Sequence, residues 1–171
     1  MEQFTNEKLD TDNLPKFEEV QLTKIAPAYA KIVALNVMIT FAIIFAVLVY
    51  GSYQIPEWGY YTAEMFIGYL ILLVISAAMS WVSYRNKAYA FREHDVMFRY
   101  GIISTNTTVI PYNRVQHVSL HEGFVSRKLG LAKIQIFTAG SSTGDIAIPG
   151  IKVEQAIKIR ELLAGKIQKE L

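Results

Sequence analysis

The stretch VIPYNRVQHVSLHEG runs from Val109 to Gly123 and carries two of the chain's three histidines, His117 and His121. They stand four residues apart, and Glu122 follows the second. On a helix that spacing brings two imidazoles to within about 6 Å, close enough to share a zinc ion. On a strand it separates them by about 13 Å, at about 3.3 Å per residue. RVQHVSL alternates as a strand does, with Val118 and Leu120 on one face and His117, Ser119 and His121 on the other. The order HVSLHE fits neither the H-E-x-x-H nor the H-x-x-E-H pattern of zinc hydrolases. Pro111 has no N–H for a ladder, so it marks an edge, a bulge or a bend before that strand. The stretch therefore reads as a bend leading into a strand. Its histidine face is one candidate binding surface.

The surrounding sequence extends this strand pattern. From about residue 86 to 150, β-branched and aromatic residues recur between turn signals. KAYAF is a short strand, and REHD turns the chain. VMFRYGIIS alternates, with Val96, Phe98 and Tyr100 on one face and Met97 and Arg99 on the other. TNT is read as the next turn, followed by TVIP. AKIQIFTA and DIAIPG flank the turn GSSTG. Turns about every 10 residues predict an antiparallel sandwich or barrel. FVSRKLG predicts a short helix closed by Gly130. The C-terminal VEQAIKIRELLAGKIQKEL predicts an amphipathic helix whose apolar side is Val153, Ala156, Ile157, Leu163 and Ile167.

Upstream, the character is different. The 171-residue chain is 52% hydrophobic and only 19% charged, with a mean hydropathy of +0.25. Soluble domains carry nearer a quarter of charged residues. The excess lies in two runs without a charge, Ile32–Tyr50 and Met65–Tyr84. Each is long enough to cross a hydrocarbon core of about 30 Å at about 1.5 Å per residue. Tyr50, Tyr53, Trp58, Tyr60 and Tyr61 lie between them and form an aromatic belt. The connecting loop has no Lys or Arg, whereas Lys16, Lys24 and Lys31 precede the first run and Arg85, Lys87, Arg92 and Arg99 follow the second. The positive-inside rule places both termini in the cytoplasm of a plasma-membrane protein. Ala42, Ala46, Ser76 and Ser80 permit close helix packing, and Asn36 and Thr40 share a face of the first span. The expected division is an N-terminal segment at 1–26, a transmembrane hairpin at 27–85 with spans at about 32–50 and 62–84, and a cytoplasmic domain at 86–171. The first dozen or so residues are expected to be flexible.

The string G-I-I-S…T-x-V-I-P-Y-N-R-V-Q-H-V-S-L…G-F-V-S-R-K-L-G-L-A-K-I-Q-I-F-T-A-G…I-P-G-I, between about Asp95 and Leu163, resembles the bacterial pleckstrin-homology-like (PH-like) domain of the YdbS-like membrane proteins. Two helices ahead of such a domain are similar to that family as well. The resemblance implies an α+β membrane protein, with the hairpin followed by a seven-stranded antiparallel PH-like sandwich capped by a C-terminal helix. It makes Pro111, Tyr112, Arg114, Gln116 and Gly130 structural motif residues. It implies no chemistry, because PH-like folds bind lipids, peptides and proteins alike.

PH domains that read inositol phosphates place cations around the first hairpin. Here Glu93 and Asp95 interrupt Lys87, Arg92 and Arg99. Candidate residues for lipid or partner binding are Arg85, Lys87, Arg92, Arg99, His117, His121, Arg127 and Lys128. The chain lacks a P-loop, a G-x-S-x-G elbow and cysteine. The expectation is a non-enzymatic membrane-anchored module without metal or cofactor. It would present its surface to a protein partner, to a second copy or to anionic lipid headgroups, and not to nucleic acid. The alternatives are a subunit of a larger transport or envelope-stress complex and, remotely, a small membrane metallohydrolase using His117, His121, Glu122 and His94.

Overall fold

The computed structural model describes residues 20–139 and 144–170. Two long helices, α1 (Tyr29–Gln54) and α2 (Thr62–Asn86), form a hairpin through a 3-10 turn at Pro56–Tyr61. Both are long and apolar enough to cross a membrane, and almost nothing along them is buried inside the protein. An apolar helix with its surface outward needs an apolar solvent. The helices meet through aromatic rings, and Ala42, Ala46 and Thr40 are exposed. Phe41 packs edge-on to Tyr69 with centroids 5.6 Å apart, and the Tyr69 hydroxyl donates to the Phe41 carbonyl at 3.2 Å. Phe45 packs on Phe66 in the same way.

The strands form two antiparallel sheets. The first takes β1 (Thr23–Lys24), β2 (Ala88–Phe91), β3 (Asp95–Tyr100) and β4 (Asn106–Pro111) in chain order. The second takes β5 (Val115–His121), β6 (Leu131–Thr138) and β7 (Ile146–Lys152). A 3-10 turn at Tyr112–Arg114 carries the chain between them. Pro111 thus ends an edge strand, where its missing N–H costs no ladder bond. Val96, Phe98 and Ile110 face Ile134, Ile136, Ile146, Ile148 and Ile151 across the core. A short helix, α3 (Phe124–Lys128), joins β5 to β6, with Gly130 just beyond it at φ 65°. The C-terminal helix α4 (Val153–Glu170) lies on β5, β6 and the 112–114 turn.

Three sequence readings of the domain are corrected. β3 stops at Tyr100, so Ile102 and Ile103 belong to a turn and not to a strand. The cause is Gly101, at φ 136°, a conformation open to glycine alone; a Cβ there would collide with the Ser104 carbonyl oxygen. Asn106 and Thr107, expected to turn, pair instead with Tyr100 and Arg99. Met97, read on the face opposite Val96 and Phe98, is buried as fully as Val96. On α4, Ile157 is exposed, and the buried side is Ala156 and Leu163 with Ile159 and Val153 packed beside them. At 100° per residue Ile157 falls a full step away from Ala156, whereas Leu163, seven residues on, returns to the same side. The Ile167 side chain, residues 140–143 of the GSSTG turn and the flexibility expected of the first dozen residues lie outside the described residues.

The segment before α1, which the sequence reading bounded as an N-terminal segment at 1–26, contributes β1 to the first sheet. Thr23 stands opposite Tyr89, and Lys24 opposite Ala88. The Ala26 N–H donates to the Gly150 carbonyl at 2.8 Å. Tyr29, in the first turn of α1, packs on Gly150, which has φ 69°; a Cβ there would come within 2.8 Å of the Tyr29 ring. Both ends of the helical hairpin are therefore sewn into one domain.

Candidate functional site

β2 begins two residues after α2 ends. The antiparallel order then sets which loops lie on the edge where the helices leave the domain. They are the start of β2, the Gly101–Thr105 turn, the end of β5 with α3, and the end of β7. The Asn86 side-chain amide donates to the Gly101 carbonyl at 3.0 Å and ties the turn to the end of α2. α3 packs against α1 on the same edge.

A pocket of about 420 Å³ opens here. Its lining includes Lys24 from β1, Arg85 from the last turn of α2, Arg99 from β3, Asn86 and Thr105. Among the described residues, no carboxylate lines it. The Arg99 Nε–H donates to the Thr107 hydroxyl at 3.4 Å, which steadies the guanidinium along the strand. Three cations, a hydroxyl and an amide thus gather around one cavity, and arginine can offer paired N–H donors to an anion. Nearby, Lys87 lies 5.8 Å from the centroid of the Tyr29 ring. Partial burial pushes its ammonium pKa below the ordinary lysine value.

The other candidate residues divide between the two ends of the domain. Arg127 and Lys128 sit on α3 at the membrane-proximal edge, with the Lys128 ammonium 4.7 Å from the centroid of the Phe124 ring. His121 ends β5 on that side, opposite Lys133. Arg92 lies at the far end, where Asp95 grips it with bonds of 2.6 and 2.5 Å and raises its pKa. The Arg92 carbonyl accepts the Tyr112 hydroxyl at 2.7 Å, so this end is a brace. His117 stacks on Phe137 with centroids 4.1 Å apart and planes 14° from parallel. The two histidines thus lie on a strand, on the outer face of the second sheet. Among the described residues, no three His, Asp or Glu side chains are gathered as a metal site requires. Gln116 and Arg114 are exposed, whereas Tyr112 is buried. The Arg114 carbonyl accepts the Ala139 N–H at 2.9 Å, across the bend.

The sequence reading used Lys24 only for orientation and did not single out Thr105 or Asn86. A two-residue strand leaves no periodic signal, and its partner lies beyond the whole hairpin. Only the β1–β2 pairing places Lys24 beside Arg85.

Among known proteins, the chain is 28% identical over 125 residues to the "UPF0699 transmembrane protein YdbS" of Bacillus subtilis (strain 168), covering 71% of this chain and 75% of that protein. It is 24% identical over 132 residues to the "UPF0699 transmembrane protein YdbT" of the same organism, covering 77% of this chain but 25% of that protein. No solved structure matches. The bacterial PH domain family matches residues 14–167, helical hairpin included, and the chain belongs to that family.

Proposed function

We propose that the chain is a non-enzymatic, membrane-anchored binding module. Its membrane-proximal basic pocket receives the phosphate headgroup of an anionic lipid in the cytoplasmic leaflet of the plasma membrane. The observation that carries this reading is the convergence of Lys24, Arg85 and Arg99 in one cavity, with no carboxylate among its described lining residues, at the edge from which two apolar helices emerge. The absence of Lys and Arg from the loop between the helices supports the cytoplasmic placement. Each cation near an anionic surface contributes about 1 kcal/mol.

Lipid retention by the full-length chain tests this reading. The chain is placed in nanodiscs containing phosphatidylglycerol and compared with a K24Q/R85Q/R99Q variant by native mass spectrometry. Removing three charges is expected to weaken retention about 100-fold, from about 3 kcal/mol in all. Equal retention by both proteins would refute the headgroup site. A protein partner or a second copy at the same surface would then be sought by cross-linking in native membranes.

A further inference from the structure

The edge that holds the pocket also carries two apolar tips. Ile103, at the summit of the Gly101–Thr105 turn, is 95% exposed. Phe124, at the start of α3, is 68% exposed. Neither joins the domain core. An isolated exposed apolar residue needs no explanation, but here two lie on one edge, on separate elements, and Phe124 stands beside Arg127 and Lys128. Their depth is set by their neighbours. Ile102 lines a groove with Val33, Asn36 and Val37 of α1 and with Met79 and Ser83 of α2. Val37 lies eight residues inside α1, or about 12 Å along its axis. The turn therefore flanks helix turns that are themselves within the spans. α3 touches α1 in turn, with Arg127 and Lys128 exposed beside Phe124.

We propose that Ile103 and Phe124 are two insertion points that seat the domain in the interfacial layer of the same bilayer that α1 and α2 cross. Aromatic and aliphatic tips enter the headgroup–acyl boundary while neighbouring Lys and Arg meet phosphates, as at interfacial helices. Two points on different loops, together with the helical hairpin, fix the tilt of the domain. They hold the mouth of the pocket at headgroup height, because Thr105 of the inserted turn is part of its wall. The proposal does not depend on what the pocket binds.

The chain contains no cysteine, so single-cysteine variants can be labelled without further substitution. Full-length I103C, F124C and N113C proteins, carrying an environment-sensitive fluorophore, are placed in nanodiscs at one chain per disc. Asn113 is exposed at the opposite end of the domain and serves as the aqueous reference. The labels at 103 and 124 are expected to be quenched severalfold more by a lipid spin-labelled near the headgroup than the label at 113. They are also expected to be protected from aqueous iodide. Iodide access at either 103 or 124 equal to that at 113 would overturn the two-point insertion. Loss of lipid retention by the pocket variant, with these quenching patterns unchanged, would leave insertion standing.

Discussion

Tyr112 shows how much one motif residue can hold. Its ring is almost fully buried, and its hydroxyl donates to the Arg92 carbonyl. Its backbone N–H donates to the His94 carbonyl at 3.0 Å, and the Lys166 ammonium lies 5.3 Å from its ring centroid. Burial, and then the charge of Asp95, push the phenol pKa up to about 12. The unfolded value is about 10, so the folded state keeps the proton longer. Tyr112 therefore contributes its full stability below about pH 10 and loses it as pH climbs from about 10 to about 12. Replacing Tyr112 with Phe removes the bond and leaves a carbonyl unpaired, at a cost of about 1 to 3 kcal/mol at neutral pH. Thermal melts followed by circular dichroism should show a gap between the two proteins at pH 8 that narrows by pH 11. A gap that widens with pH would contradict this assignment. That Tyr112 belongs to a motif was legible in IPYNRVQHV. That its partner is the carbonyl of Arg92 was not, because the contact crosses from one sheet hairpin to the bend after another.

Among the elements, those with sustained periodicity were legible and those set by one residue or by a remote partner were not. The two apolar runs and the alternation of β5 and β6 announce helix and strand without tertiary context, because burial repeats along them. In GIIS, two isoleucines after an alternating run read as more strand, and only the backbone angle of Gly101 reverses that. α4 combines both cases: its helical period is plain, but its mixed composition leaves the buried side ambiguous by one step. Leu163→Ala is expected to cost about 2 to 5 kcal/mol, since it empties a fully buried site. Ile157→Ala should stay within about 0.5 kcal/mol, as exposed positions do. Denaturant midpoints of the two variants in detergent check this. The reverse order would place the core on the other side of the helix.

Over the whole molecule, the joint between hairpin and domain is narrow. Tyr29 rests on Gly150, and Ala26 bonds to the same residue. A Gly150→Ala substitution forces a side chain into a left-handed backbone and against an aromatic ring. It is expected to loosen α1 from the domain while leaving the sheets folded. Protease access near residues 25–28 should rise in membranes, with little change in strand content by infrared spectroscopy. Unchanged protection there would show that the joint is held elsewhere.

The two-residue strand β1 also bears on biosynthesis. It leaves the ribosome before the first helix, whereas its partner β2 leaves only after the second. The first sheet can therefore close only when the chain has crossed the bilayer twice and returned. A nascent chain that inserts one helix leaves β1 and β2 on opposite sides, with β2 an open sheet edge. Closure of the first sheet thus depends on insertion of both helices.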